Sequence, residues 1–259
     1  MTQEKRILVC EDSLEGIFSA VYDGWKECLG GVEVSVQTSF PTNMELFTTY
    51  REIDTDRSKT GKVMRTILVK LGSEAYEQIC LAAAGADPDR GTAIYYVLHR
   101  ALGHGRCETN VMEALADSHV NKVAKLALQV KREYHHYFGF IRFREISGMF
   151  LLAKIQPEND ILPLLASHFS NRFPNENWVI YDEGRQKALC HGKGTECAIK
   201  KEVRLQIPRN AMGDRGEYEE LWRVFCNGVS IEARHNEKLQ KQMLPLRFQN
   251  NMPEFFMKG

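Results

Sequence analysis

The chain has 259 residues, 43% of them hydrophobic and 26% charged, with 34 basic side chains matching 34 acidic ones. That composition excludes a disordered or fibrous chain and suffices for one large core or two smaller ones. No apolar run approaches the roughly 20 residues that span a bilayer. The first apolar stretch, Ile7-Leu8-Val9-Cys10, is too short for a secretory leader. Seven cysteines at wide, irregular spacing suit reduced thiols better than a disulfide framework. A soluble cytoplasmic protein is therefore expected, with no membrane partner. Charge is polarised along the chain: residues 1–60 hold six Lys/Arg against eleven Asp/Glu, and residues 185–247 hold thirteen against eight. Such a basic segment either faces phosphate or packs against the acidic end.

In chain order, Arg6–Cys10 reads as a buried strand, followed by a helix that Asp12 or Ser13 caps. Leu14, Ile17, Phe18, Val21, Tyr22 and Trp25 recur along that helix at helical spacing. Val32–Val36 alternates as a strand, which makes residues 1–50 a strand–helix–strand opening. The polar stretch Thr49–Gly61 is predicted to be a linker or loop. Residues 62–137 show helical periodicity without interruption, with caps at Ser73, at Asp87-Pro88 and at Asp117 or Ser118, and are predicted to be a helical subdomain.

From 138 to 259 the pattern is mixed and is predicted to join the opening in one globule. Phe140–Ile146 and Phe150–Ile155 read as a hairpin around Ser147-Gly148, and Ile161–Phe173 reads as a helix. Trp178–Asp182 and Lys187–His191 read as a second hairpin, and Glu217 to about Gln242 as a long helix. The predicted class is α+β: a helical subdomain, an antiparallel or mixed sheet, and a long C-terminal helix.

Few groups stand out as carriers of chemistry. Arg142 and Arg144 alternate with Ile141 and Phe143, so period-2 geometry places both guanidiniums on one strand face, able to grip phosphates. His168, with Arg172 one turn on, is a candidate proton-transfer group, with Asp182 as a possible orienting carboxylate. The C-terminal helix crowds Arg234, Asn236, Lys238, Gln240 and Lys241 near its end, with Arg247 beyond; these residue types contact phosphates and base edges. Cys190, His191 and Cys197 offer soft ligands, as do His104 and Cys107, but C-x6-C is longer than a zinc knuckle. No metal or cofactor is expected. The chain contains no phosphate loop, no H-E-x-x-H helix, no G-x-S-x-G elbow and no zinc-deaminase signature.

Several stretches carry a family resemblance. They are Phe140–Glu145, Ile161–Phe169 with Arg172-Phe173, Trp178–Glu183, Glu219–Trp222, Arg234–Gln240 and Pro245–Phe248, with Asp12–Val21 near the start. Together they resemble a bacterial domain family of unknown function grouped with DNA-metabolism and DNA-repair proteins. The resemblance implies a neighbouring radical-SAM-type DNA repair protein as partner, and in other proteins a fusion to a uracil-DNA-glycosylase-like domain. It brings no catalytic residues with it. After Pro245 the chain departs from the family pattern, with Leu246 and Phe248-Gln249 where a basic residue and a Tyr-Trp pair are usual.

Three functions are compatible with these features. The first is a DNA-binding accessory module that acts with the radical-SAM-type partner. The most useful observation for it is whether Arg142, Arg144, His168 and the Arg234–Lys241 helix line one groove. The second is a nucleic-acid hydrolase or glycosylase-type enzyme built on His168, Asp182, Glu145 and Arg144, which must then share a reacting atom. The third is a structural partner with no DNA contact.

Overall fold

The computed structural model describes residues 5–28, 32–103, 107–146, 148–205, 221, 222, 224, 225, 228, 236–249, 252 and 255. The chain is mixed α/β and forms two compact units, Met1–Arg132 and Glu133–Gly259. No helix among the described residues is long and apolar enough to cross a membrane.

The first unit begins with β1 (Lys5–Cys10), α1 (Leu14–Cys28), β2 (Glu33–Gln37) and β3 (Thr48–Ile53). The strands form a parallel sheet in the order β2-β1-β3. Central β1 buries Ile7, Leu8, Val9 and Cys10 on both of its faces, which explains its unbroken apolar run. Ser13 caps α1 by accepting the Gly16 N–H at 3.0 Å. A Cβ at Gly16 would stand 2.3 Å from the Glu11 carbonyl oxygen, so this close approach admits only glycine.

The stretch expected as a linker is instead β3 and the start of α2 (Arg57–Lys70). Six residue pairs, from Lys5↔Thr48 to Cys10↔Ile53, join β3 to β1 through the backbone. As an edge strand β3 carries exposed Arg51 and Glu52, so composition conceals it. Asp56 then caps α2, accepting from the Ser58 and Lys59 N–H groups at 2.7 and 3.3 Å.

Helices α3 (Gly72–Ala83), α4 (Arg90–Leu102) and α5 (Ser118–Phe140) follow. The strands and α1 to α5 share one core that includes Leu8, Phe18, Val36, Ile67, Ile79, Tyr95, Leu98 and Val123, so the helices are not a separate subdomain. Buried Arg90 fastens this core: its Nε donates to the Ala83 carbonyl at 3.0 Å, its Nη1 to the Asp87 carbonyl at 2.9 Å, and its Nη2 to the Asp12 carboxylate. Helix α4 starts there, two residues beyond the expected Pro88. Asp117 caps α5 through the His119 and Val120 N–H groups.

The second unit takes the last residues of α5, then β4 (Arg144–Ile146), β5 (Phe150–Ile155), α6 (Leu162–Arg172), β6 (Trp178–Asp182), β7 (Lys187–His191) and β8 (Ala198–Lys200). The sheet order is β4-β5-β6-β7-β8. Only β5 and β6 are parallel, joined by α6; the other pairs are antiparallel, so the sheet is mixed. Trp178, wholly buried, faces α6, with ring centroids of Phe169 at 6.2 Å and Phe143 at 6.3 Å. Ile146, Leu152, Tyr181 and Ala188 pack on the opposite face.

Two expected elements change. The strand expected over Phe140–Ile146 begins only at Arg144, because Phe140 still belongs to α5, where it contacts Phe248. The helix expected from Glu217 to about Gln242 lies largely outside the described residues. Within them it is interrupted at Asn236, whose extended backbone (φ −135°, ψ 96°) caps a new helix, α7 (Glu237–Met243). Helix α8 (Leu246–Gln249) follows.

Candidate functional site

The second unit contains two polar arrangements of different character. The first is buried and internal. Asp182, fully enclosed at the end of β6, accepts the Gly184 and Arg185 backbone N–H groups at 3.0 and 3.1 Å and the Arg185 guanidinium at 3.3 Å. Burial pushes its pKa up, against the pull of the Arg185 N–H and guanidinium. Arg185 in turn donates to the Pro157 and Glu158 carbonyls. Beside this, buried Glu133 accepts the Glu158 and Asn159 N–H groups, each at 2.9 Å, and the Asn159 amide at 2.6 Å. Arg247 reaches Glu133 at 3.5 Å and also pairs with Glu158. Burial and the Glu133 charge raise the Tyr137 phenol. These groups staple the segment 156–160 to its neighbours, and every carboxylate oxygen of Asp182 and Glu133 is already engaged.

The second arrangement is basic, aromatic and near the surface. Arg142 follows the end of α5 and donates to the Gly139 carbonyl at 2.7 Å, satisfying one of the helix's last acceptors. Its guanidinium also lies 5.8 Å from the centroid of Trp222, which is stacked with Phe225 at 5.7 Å. Trp222 is 41% exposed and Phe225 56%. Next to Arg142, Phe143 contacts Phe173, 5.4 Å away, and Arg172 lies over the Phe173 ring at 5.6 Å. Each arginine thus lies by an aromatic ring, Arg142 by Trp222 and Arg172 by Phe173. His168, one turn before Arg172, stacks on Phe138 at 4.0 Å and 13°.

Burial, and then the Arg172 charge, hold the His168 pKa below its ordinary 6.5. Among the described residues its Nε2 has no hydrogen-bond partner. The fold thus prefers neutral imidazole. The stability His168 contributes is complete above its unfolded value and is lost as pH falls through 6.5 toward the lower folded value. Acidification from about pH 7.5 to about pH 5.5 is therefore expected to lower the denaturation midpoint of the wild type more than that of His168→Phe. Equal losses in the two proteins would refute the assignment.

The candidates from sequence separate into these two groups and a remainder. Glu145, His168, Asp182 and Arg144 do not form a centre. Glu145 lies opposite Leu151, and Leu151 opposite Trp178, four residues before Asp182. The two carboxylates are thus two strands and four residues apart, roughly 16 Å at ordinary sheet spacings. Arg142 and Arg144 do not share a strand face, because Arg142 precedes the strand. Arg247 is held by two carboxylates, and the adjacent Phe248 is buried against Tyr137 at 4.9 Å, so this segment closes the unit's interior.

Asn236 spends its side chain on the Leu239 N–H at 3.0 Å, and Lys241 is 3.7 Å from Glu237. Lys238 is exposed and Gln240 half-buried on α7. Arg234 and His104 lie outside the described residues. His191 stacks on Trp178 at 5.0 Å and its Nδ1 meets the Glu176 carbonyl at 3.0 Å, while neighbouring Cys190 points to the other sheet face. Among the described residues no three His, Cys, Asp or Glu side chains cluster as a metal site.

Trp222 and Phe225 fall within the long helix expected from Glu217 to about Gln242, and Leu221, Trp222, Val224 and Phe225 are all exposed. Their i, i+3 spacing was visible, but spacing cannot say which face a helix buries.

Against known families, the chain matches DUF4130, a domain of unknown function, over residues 88–254. The match covers more than half of the chain and leaves the expected N-terminal resemblance at Asp12–Val21 outside it. No curated protein matches the chain, and no solved structure does.

Proposed function

We propose that this chain, which belongs to the DUF4130 family, is a DNA-binding accessory module whose second unit holds single-stranded DNA on its basic–aromatic face. The observation that carries this reading is the contact of Arg142 with Trp222 beside exposed Phe225. Proteins that hold single strands combine aromatic platforms for bases with cations for phosphates. Trp222 and Phe225 supply the platform; Arg142 and Arg172 supply the charge. The partner in this reading is the radical-SAM-type DNA repair protein implied by the family resemblance, which would perform the chemistry. No hydrolytic or glycosylase centre is included, since the carboxylates are too far apart or fully engaged.

The reading requires salt-sensitive affinity. Fluorescence polarisation of a labelled oligonucleotide is expected to show binding at low salt. With two to three phosphates neutralised, log K should fall against log salt with a slope of about −1.4 to −2. Absence of binding at low salt, or a slope near zero, would overturn it. A second reading is favoured by Leu221 and Val224, aliphatic side chains exposed beside the rings that a nucleobase does not need. In that reading the face docks the partner protein directly. Co-purification with the partner, abolished by Trp222→Ala in the absence of any DNA affinity, would select it.

A further inference from the structure

The first unit carries a groove of about 500 Å3 between α1, α2 and α4, lined by Tyr22, Trp25, Val63, Ile67, Leu98 and Leu102, with Lys62 and Lys70 among its remaining lining residues. Such a volume falls within the range of about 300–1,000 Å3 usual for small-molecule sites. Ile67 and Leu98 are almost wholly buried and form an apolar floor. The polar groups along the wall are already occupied: the Thr66 hydroxyl donates to the Lys62 carbonyl at 2.8 Å, and the Cys107 thiol to the Lys70 carbonyl at 3.4 Å.

The lysines differ from others in this unit. Lys59 pairs with Asp23, and Lys122 with Asp87 and Asp89. Among the described residues no carboxylate pairs with Lys62 or Lys70, and the Lys62 ammonium lies 5.4 Å from the Tyr22 ring centroid. Eight residues apart on α2, the two lysines are separated by about 12 Å of helix. The groove therefore offers an elongated apolar floor with positive charge toward each end.

From this we infer that the groove between α1, α2 and α4 binds an amphipathic carboxylate, with a medium-chain aliphatic body on Ile67 and Leu98 and its anionic head at Lys62 or Lys70. A nucleotide fits the charge but not the floor, because its base and sugar hydroxyls would lose hydrogen bonds to water and find no replacement there. The inference concerns the first unit alone and is independent of DNA binding by the second.

The test uses the full chain and the fluorescent anion anilinonaphthalene sulfonate, displaced in turn by decanoate, decanol and adenosine monophosphate. Decanoate is expected to displace the probe about tenfold more effectively than decanol, the advantage of one charge-assisted contact. The double variant Lys62→Ala/Lys70→Ala should bring decanoate to the level of decanol. Thr66→Trp, at an exposed position on the groove wall, should block both without changing the melting temperature. Equal competition by decanol and decanoate, an unaffected lysine variant, or stronger competition by the nucleotide would each overturn the inference.

Discussion

Glu133→Ala is expected to destabilise the protein by about 3–5 kcal/mol, the usual cost of removing one partner from a buried charge network. The side chain is buried and satisfies three donors from residues 158 and 159 as well as the Arg247 guanidinium. Alanine removes the carboxylate that the buried Asn159 N–H and amide donate to, and leaves Arg247 paired, among the described carboxylates, with Glu158. Glu145→Ala removes an exposed carboxylate from an edge strand and should change stability by no more than about 0.5 kcal/mol. Urea unfolding of the two variants distinguishes a structural carboxylate from a dispensable one. If Glu133→Ala cost less than about 1 kcal/mol, the network would not be what holds the segment 156–160 in place.

The second large effect is expected on DNA binding. Base–aromatic stacking contributes about 1–3 kcal/mol per base, so Trp222→Ala should weaken oligonucleotide affinity by roughly 5- to 150-fold. Since Trp222 is 41% exposed, the substitution should leave the urea midpoint near the wild-type value. That separation matters, because a loss of binding accompanied by a loss of fold would say nothing about the face. Phe225→Ala should act in the same direction. Affinity unchanged in both variants, in a chain that still binds DNA, would place the contact elsewhere.

How much of this was legible in the sequence depended on whether the deciding partner was near in the chain. Helix α1 was readable because its cap at Ser13 and its apolar stripe are local signals. Strands β6 and β7 were readable as the two short runs of a hairpin, and both occur with the expected bounds. Strand β3 was not, because its stability comes from a backbone ladder to β1, which polar edge side chains do not advertise. Arg142 looked like a strand residue since Arg142 and Arg144 alternate with Ile141 and Phe143; the helix extends to Phe140, where the ring packs on Phe248, from the far end of the chain. Arg247 read as a free cation until the fold brought Glu133 to it. Of the candidate site, Arg142 and Arg172 were legible as charges, and His168 as a titratable group. The exposed Trp222–Phe225 pair was not, because helical spacing marks an apolar face without saying whether anything covers it.

One titration addresses the central claim most directly: single-stranded oligonucleotide affinity of Arg142→Ala/Arg172→Ala compared with Lys238→Ala/Lys241→Ala. Each double variant removes two positive charges, so a purely long-range electrostatic effect would weaken both alike. The basic–aromatic face predicts a large loss and a shallower salt dependence for the arginine pair, with little change for the lysine pair on α7. The reverse order, or equal losses, would contradict it.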